Sequence, residues 1–488
     1  MTFKRIIPAV CVLVVVFFLI GFNTLETAMT VGAGTKAKFL CSNVFISNRT
    51  PASVLENEAC NATRNIGFLG LLGDALTMCD VDPNDKSASC RLLWVKRKAV
   101  YQEQYGATLL YGTTTAQIKN SEEIVKNRDV TNTATILSVQ NSLTKPELWP
   151  AGELINPANI PDHCLKEINR LLDAAFVETD KKNPKRTHGI VIVYDGRLIA
   201  EQYAADMGYS VNTPHYGWSM TKSVAGILIG ILVKQGKLDI DAPAPILQWQ
   251  NLSDPNDLRH SITTNHLLRM SSGLKFNEDY NNPVSDVNQM LFGNHHDMVE
   301  FAANKALIAK PDTLWKYSTA TATLLGAVIK NTLNSEKDYQ AFARKELFDK
   351  LGMHTAIIEA DQSGNIGTGS YMWASPRDWA RFGLFCLQNG RWQGEQILPD
   401  NWMEYATTPT PTDPMAHYGA QFWLNSKKTY YPSLPADLYE CRGKDIQRVT
   451  IIPSQKLVVA RFGYTPNNSG WDHEGFILKV LQAIKTAS

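Results

Sequence analysis

Short runs of β-branched and aromatic residues predict four β-strands in the later two thirds of the chain. Residues 188–194 form one run, which ends at the tight-turn dipeptide Asp195-Gly196, and residues 197–203 form the next. Two runs joined by so short a turn predict a β-hairpin. A third and a fourth strand are predicted near the C-terminus, at residues 448–452 and 457–462.

Apolar residues at helical spacing predict helices between and beyond these strands. Residues 160–177 and 475–485 show this spacing, and the apolar run 224–233 is followed by Gly236, which suits the C-terminal end of a helix. Strands at both ends of a long, mostly helical middle predict a mixed α/β (α+β) fold. In this fold an antiparallel sheet is flanked by helices and interrupted by a helical insertion, with clefts where the two meet.

The chain has 488 residues, which is too long for one ordinary domain. We predict a main domain at residues 151–488 and an accessory region at residues 31–150. The accessory region alternates short apolar runs with polar turns and holds no combination of acid, base and nucleophile. Its predicted role is therefore structural, either as a stalk or as a cover packed on the main domain.

An uncharged apolar stretch at residues 6–22 follows Lys4 and Arg5. A stretch of about 17 residues is at the lower limit for crossing a bilayer core. We predict that residues 1–30 are a membrane anchor or a cleaved signal, and we favour the anchor because the small-residue cleavage sites downstream are weak. The positively charged Lys4 and Arg5 then stay in the cytoplasm, which places the chain after the apolar stretch in the periplasm or the extracellular space.

Beyond Cys11 in the apolar stretch, four of the eight cysteines lie in the first quarter of the chain, as expected of an exported protein. Cys79 and Cys90 flank a polar, turn-rich loop that can bring them together as a disulfide, and Cys41 with Cys60 is the second candidate pair. The alternative is a set of buried thiols in a cytosolic protein. No two cysteines have the CxxC spacing, so we predict no structural zinc.

Charge and histidine patterns argue against nucleic-acid and metal partners. Lys and Arg number 48 and Asp and Glu number 47, which leaves a net charge of +1 and no basic stripe. His295 and His296, followed by Asp297, would point in different directions on a helix or a strand, so we predict a polar loop there and not a metal site. No metal and no organic cofactor is therefore predicted.

Ser219 and Lys222 stand three residues apart at the start of the apolar helix predicted over 224–233. On a helix these side chains project from the same face, so the amine can reach the hydroxyl. Apolar surroundings would lower the lysine pKa, and a helix N-terminus favours negative charge near the serine. The alternative is an N-cap serine followed by a solvated lysine. The spacing by itself leaves both interpretations open.

In its context, the Ser219 segment resembles the active-site serine region of serine β-lactamases and penicillin-binding proteins. The resemblance covers about residues 150–485 and favours the branch with class C β-lactamases, esterases, D-aminopeptidases and 6-aminohexanoate-dimer hydrolases. It rests on five ordered stretches, at residues 217–223, 236–243, 262–274, 311–319 and 377–383. The resemblance implies a β-lactamase/transpeptidase-like fold and a Ser219 nucleophile paired with Lys222.

The resemblance also assigns roles to two further motifs. Tyr317, Ser318 and Thr319 correspond to Tyr-x-Asn, whose tyrosine works beside the lysine as general base and then as proton donor to the leaving group. Thr319 stands where asparagine is usual, so a hydroxyl replaces the side-chain amide. Lys444 and Ile446 stand in the place of Lys-Thr-Gly or His-x-Gly, where Lys444 would supply positive charge to bind substrate.

For the oxyanion hole, the resemblance implies the backbone N–H groups of Ser219 and Gln447. Ile446 in place of glycine would narrow the approach of substrate to this strand, which makes β-lactam recognition doubtful. For Lys444, the alternative is a solvated surface charge.

The resemblance implies a serine hydrolase that cleaves small-molecule ester or amide bonds through an acyl-enzyme intermediate. Thr319 and Ile446 favour esters and linear amides over β-lactams. The alternative is a non-catalytic, membrane-anchored protein that keeps the penicillin-recognising fold for interaction or assembly. The presence of Ser219, Lys222 and Tyr317 argues against that alternative. The sequence indicates no oligomeric state.

Overall fold

The computed structural model of the protein describes residues 6–59, 75–127, 147–157, 160–250, 252–466 and 470–485. For residues 6–20, 58 and 59 it describes the backbone but not the side chains.

A six-stranded antiparallel sheet forms the centre of the main domain. The hairpin predicted around Asp195-Gly196 is confirmed, with Tyr194 paired to Arg197. Both predicted C-terminal strands are present within one residue of their predicted bounds. In spatial order, the strands are Trp423–Leu424, Tyr439–Gly443, Gln447–Ile452, Leu457–Gly463, Thr187–Tyr194 and Arg197–Tyr203.

Helices cover both faces of this central sheet. The helices Asp162–Phe176 and His473–Lys485 pack on one face, close to the bounds predicted from their apolar spacing. The helix Pro376–Leu387 packs on the other face, where Gly383 allows a close approach because an added Cβ would lie 2.6 Å from Val458. The predicted fold, an antiparallel sheet flanked by helices, is confirmed.

A mostly helical segment separates the strand Arg197–Tyr203 from the strand Trp423–Leu424 in the chain, as predicted for the helical insertion. A small sheet with the order His215–Tyr216, Met372–Ala374 and Ile357–Ile358 runs through it. The described α-helices of at least five residues in this segment are Thr221–Lys234, Thr264–Leu268, Asp286–Phe292, Met298–Ala303, Thr319–Leu333, Glu336–Ala343, Pro376–Leu387 and Trp402–Thr407.

The accessory region consists of a four-stranded antiparallel sheet and a long first helix, Ile6–Phe45, which packs against it. A further helix, Thr115–Lys126, follows the sheet. The strands are Thr77–Asp82, Ser87–Leu92, Val95–Gln102 and Gly106–Leu109, in that order across the sheet. This region packs on the main domain. The domain boundary predicted near residue 150 stays a prediction.

The predicted disulfide between Cys79 and Cys90 is confirmed, and it joins two neighbouring strands of the N-terminal sheet. The second predicted pair is not seen. Cys41 is a free thiol on the buried face of the first helix, where burial raises its pKa. Its predicted partner Cys60 lies outside the described residues.

A buried ion pair joins the first helix to the main domain. The Lys38 Nζ lies 2.7 Å from Glu359 Oε2, and both side chains are almost fully buried. Glu359 also accepts hydrogen bonds from the Ser42 hydroxyl at 2.7 Å, the Ala107 backbone N–H at 2.9 Å and the Trp373 indole N–H at 2.9 Å. The carboxylate is thus held by donors from both parts of the chain, which compensates its desolvation.

We expect Glu359→Ala to lower the free energy of unfolding by about 3–5 kcal/mol, because the Lys38 ammonium would stay buried without its partner. Urea unfolding followed by circular dichroism measures this loss. The control is Glu395→Ala, which breaks an exposed ion pair with Lys350 and should cost at most about 1 kcal/mol. Equal losses in the two variants would contradict the role assigned to the buried pair.

The predicted anchor at residues 6–22 falls within the first helix, and the side chains of residues 6–20 lie outside the described part. Among the described residues, no helix is both long enough and apolar enough to cross a lipid bilayer.

Candidate active site

Ser219 lies in a short 3-10 turn, Trp218–Met220, which leads directly into the apolar helix Thr221–Lys234. This helix is buried over almost its whole length, as its sequence predicts. Trp218 has a φ of +49°, in the left-handed region that residues with side chains seldom adopt. Its ring packs against Tyr216 and against Phe39 of the first helix, so the surrounding packing holds this backbone and fixes where Ser219 points.

The Lys222 amine makes three polar contacts in the interior of the protein. Its Nζ lies 3.0 Å from Ser219 Oγ, 3.0 Å from Thr319 Oγ1 and 2.7 Å from the Gly369 carbonyl oxygen. Burial lowers the pKa of this amine from its ordinary value of 10.5 to about 8, and the nearby Glu278 carboxyl opposes that change. A lysine with this pKa can act as a base close to neutral pH.

Tyr317 lies close to both Ser219 and Lys222. Burial raises the pKa of its phenol above the ordinary value, Glu278 raises it further, and a hydrogen-bonding interaction with Ser219 partly opposes both. The Lys222 Nζ lies 4.9 Å from the centre of the Tyr317 ring. The structure therefore brings together the three residues predicted to carry the chemistry and keeps the phenol protonated.

Thr319 is the first residue of the helix Thr319–Leu333, and it connects Lys222 to a carboxylate. The Thr319 hydroxyl donates a hydrogen bond to Glu278 Oε1, and the Thr319 backbone N–H donates to Glu278 Oε2 at 2.8 Å. Burial raises the pKa of the Glu278 carboxyl, and Lys222 opposes that shift. No pattern in the sequence points to Glu278, because it lies in a polar loop 41 residues before Thr319 and belongs to no motif.

Lys444 lies beside the nucleophile turn, as predicted, but it has a partner. Its Nζ is 3.1 Å from Asp445 Oδ1 and 5.4 Å from the centre of the Trp218 ring. The strand Tyr439–Gly443 ends against this turn, since a Cβ added to Gly443 would lie 2.3 Å from the Gly217 carbonyl oxygen. The positive charge of Lys444 thus lies beside the nucleophile turn and is partly offset by Asp445.

The backbone N–H of Gln447, which was predicted to bind an oxyanion, is already hydrogen-bonded within the protein. Its backbone N–H donates to the Lys444 carbonyl within the preceding turn. Its side chain makes two hydrogen bonds with the backbone of Gly463 on the neighbouring strand Leu457–Gly463. The prediction that this N–H serves as the second oxyanion donor is therefore corrected: the turn itself uses the N–H.

The side chain of Ile446 also differs from the expectation. Asp445 and Ile446 both have a φ of +58°, so the chain turns sharply there without glycine. This turn buries the Ile446 side chain in the apolar cluster beneath the helix His473–Lys485. The isoleucine therefore does not narrow the approach to the strand in the way that the sequence suggested.

The histidine pair lies in irregular chain between two helices, as the predicted polar loop requires. His295 packs on Phe301, His296 packs on Tyr111, and Asp297 caps the helix Met298–Ala303. Among the described residues, no group of three or more His, Cys, Asp or Glu side chains is arranged to hold a metal ion.

The central sheet with its flanking helices and the proximity of Ser219, Lys222 and Tyr317 agree with the class that the sequence resembles, that of β-lactamases and penicillin-binding proteins. Residues 172–472, more than half of the chain, match the β-lactamase family model. The protein belongs to the β-lactamase family.

A curated relative is the 6-aminohexanoate-dimer hydrolase of Paenarthrobacter ureafaciens, 24% identical over 233 residues. The alignment covers 45% of this chain and 56% of the relative, so the chain spans about half the length of the curated relative it matches.

Two solved structures share the fold. A penicillin-binding protein homologue from Caulobacter crescentus has a TM-score of 0.51 at 14% identity, over 67% of this chain and 98% of that one. EstCE1, a hydrolase with promiscuous acyltransferase activity, has a TM-score of 0.51 at 16% identity, over 66% of this chain and 98% of that one.

Proposed function

We propose that the protein hydrolyses ester or amide bonds of small molecules through an acyl-enzyme formed on Ser219. The observation that carries this proposal is the 3.0 Å contact between Lys222 Nζ and Ser219 Oγ, made by an amine whose pKa is lowered to about 8. Near pH 8 about half of this amine is neutral and can accept the hydroxyl proton.

The first half of the reaction is acylation of Ser219. The neutral Lys222 amine takes the hydroxyl proton as Ser219 Oγ attacks the substrate carbonyl carbon. The Ser219 backbone N–H, next to the N-terminal end of the helix Thr221–Lys234, favours negative charge on the carbonyl oxygen. The protonated phenol of Tyr317 donates to the departing alcohol or amine and is reprotonated at the expense of the Lys222 ammonium.

The second half is hydrolysis of the acyl-enzyme. A water molecule attacks the ester carbonyl on Ser219, and the Lys222 and Tyr317 pair accepts its proton and returns one to Ser219 Oγ. The carboxylic acid leaves and the site is restored. The scheme uses groups of this protein and water, and it needs no metal ion or organic cofactor.

For the substrate class, we propose carboxylic esters and linear amides. Thr319 in place of asparagine supports this choice, whereas the buried Ile446 side chain no longer does. The hydrolase activity named for the curated relative, 6-aminohexanoate-dimer hydrolase, and the promiscuous acyltransferase activity of EstCE1 support acyl transfer as the chemistry.

For the location, we propose that the protein is exported and tethered through residues 1–30. The disulfide between Cys79 and Cys90 supports export, because disulfides persist in oxidising compartments.

A fluorescent fluorophosphonate is expected to label the protein on Ser219, because this reagent reacts with activated serines as an ester substrate does. Peptide mapping by mass spectrometry identifies the modified residue. A fluorescent penicillin, applied in parallel, is expected to leave little or no stable label.

The pattern of labelling separates the candidate functions. Fluorophosphonate label on Ser219 without penicillin label supports an esterase or amidase. Stable label with penicillin would overturn the proposed substrate class. Label with neither reagent would contradict catalysis by Ser219 and favour a non-catalytic interaction protein.

A further inference from the structure

Each hydrogen bond of the Lys222 amine needs one donor and one acceptor, and the roles of its three partners decide where its lone pair faces. A neutral amine has two N–H groups and one lone pair, and the lone pair must face Ser219 if Lys222 is to accept its proton. The Gly369 carbonyl oxygen can only accept, so it takes one N–H. Thr319 Oγ1 is a hydroxyl oxygen that can donate or accept. If Thr319 donated to Lys222, the lone pair would face Thr319 and be lost to Ser219.

Glu278 decides the direction of this hydrogen bond. Thr319 has one hydroxyl proton, and that proton is donated to Glu278 Oε1. In its ionised form the Glu278 carboxylate has no proton of its own and can only accept; Lys222 and the two hydrogen bonds from Thr319 favour this form, against the effect of burial on the pKa. The second oxygen, Oε2, accepts the Thr319 backbone N–H at 2.8 Å, so the carboxylate is fixed in place by two donors of the same residue.

We propose that Glu278 is a positioning residue of the catalytic site. By accepting the Thr319 hydroxyl proton, it makes Thr319 Oγ1 an obligatory acceptor of the Lys222 amine, and the Lys222 lone pair is thereby turned toward Ser219. This inference rests on the proposed function, in which Lys222 is the base for Ser219.

The arrangement explains how the chain works without the asparagine of the Tyr-x-Asn pattern. The carbonyl oxygen of an asparagine side chain can only accept, so it would receive a lysine N–H without help. The Thr319 hydroxyl needs a second residue to fix its direction, and Glu278 supplies it. Thr319 and Glu278 together therefore replace one asparagine.

The charge of Glu278 also acts on Lys222 directly. Its carboxylate favours the ammonium form and raises the pKa of Lys222, against the larger effect of burial. Removing that charge lowers the Lys222 pKa further. In a profile of kcat/KM against pH, the fall on the acid side, which follows protonation of Lys222, therefore moves to lower pH. Other ionisable groups interact electrostatically with Glu278 or with Tyr317, namely Lys316, Tyr280, Tyr418 and Arg448.

Glu278→Gln tests the proposal because a glutamine reverses the hydrogen bond. With its carbonyl oxygen on the Thr319 backbone N–H, the glutamine NH₂ faces Thr319 Oγ1 and drives the hydroxyl proton toward Lys222. We expect kcat/KM for a short-chain p-nitrophenyl ester to fall about 10- to 100-fold at the pH plateau. The acid limb of the profile should move to lower pH.

A second variant separates positioning from general damage. In Thr319→Asn/Glu278→Gln, the asparagine carbonyl again offers an acceptor to Lys222, and we expect at least about tenfold recovery over Glu278→Gln alone. The matched control is Asp279→Asn in the same loop, where the exposed Asp279 accepts a backbone N–H that asparagine can also bind. Its kcat/KM should stay within about twofold of the unmodified protein.

The outcomes are distinct. A plateau loss with a shifted acid limb and recovery in the double variant supports the proposal. An unchanged plateau in Glu278→Gln, or no recovery in a folded double variant, overturns it. If the Glu278→Gln variant does not fold, the same substitution is made in the Thr319→Asn background. There it must lower kcat/KM by less than about threefold relative to Thr319→Asn alone, because the asparagine already offers an acceptor to Lys222. Unmodified protein that fluorophosphonate does not label on Ser219 would overturn both this inference and the proposed function.

Discussion

Ser219→Ala is expected to lower kcat for ester hydrolysis by roughly 10⁴- to 10⁶-fold, because no other group occupies the position of the nucleophile. The hydroxyl lies 3.0 Å from the Lys222 amine, and alanine leaves that base without a proton to accept. Substrate binding should change little, since the backbone N–H of residue 219 remains. Steady-state kinetics with a p-nitrophenyl ester measure the loss.

The control for this variant is Ser433→Ala, which removes an exposed hydroxyl on the surface. It should leave kcat unchanged, and both variants should melt within about 2 °C of the unmodified protein, because neither removes a buried apolar group. Hydrolysis that persists in folded Ser219→Ala would contradict the proposed mechanism.

Lys222→Ala is expected to lower kcat/KM by about 10²- to 10⁴-fold, the usual contribution of a general base. In the unmodified protein, protonation of the amine removes the base. We therefore expect kcat/KM to fall as the pH drops through the Lys222 pKa of about 8 and to level off above it. In Lys222→Ala this limb should disappear, which a profile of kcat/KM against pH shows directly.

Two further substitutions sharpen the test of Lys222. Lys222→Arg keeps the positive charge but supplies a group that stays protonated, so it should be as inactive as the alanine variant. Lys234→Ala removes the lysine at the far end of the same helix and should leave the pH profile unchanged. An acid limb near pH 8 that survives in Lys222→Ala would assign that limb to another group.

The part of the site that depends on local geometry could be predicted from the sequence. Ser219 and Lys222 are three residues apart, in a 3-10 turn and the helix that continues from it, so their spacing already determines their proximity. The hairpin at residues 187–203 was predictable for the same reason, because a tight-turn dipeptide joins two β-rich runs. Tyr317 lies about a hundred residues further on, and only the ordered resemblance connected it with the pair.

The remainder of the site depends on tertiary packing. The Gly369 carbonyl contacts Lys222, and Glu278 is connected to it through Thr319, only because distant parts of the helical segment pack against the helix Thr221–Lys234. Gln447 was assigned a free N–H because no residue pattern at 444–446 indicates a turn. Two successive residues with positive φ, neither of them glycine, create that turn and consume the donor.

The ion pair between Lys38 and Glu359 has a consequence for how the molecule is held together. Glu359 lies inside the span that matches the family, while Lys38, Ser42 and Ala107 lie outside it. Cutting the chain at the family boundary would remove Lys38 and the donors of Ser42 and Ala107, and of these contacts of Glu359 only the one with the Trp373 N–H would remain. The N-terminal region thus stabilises the span that matches the family through this buried contact, and we expect the two to unfold together.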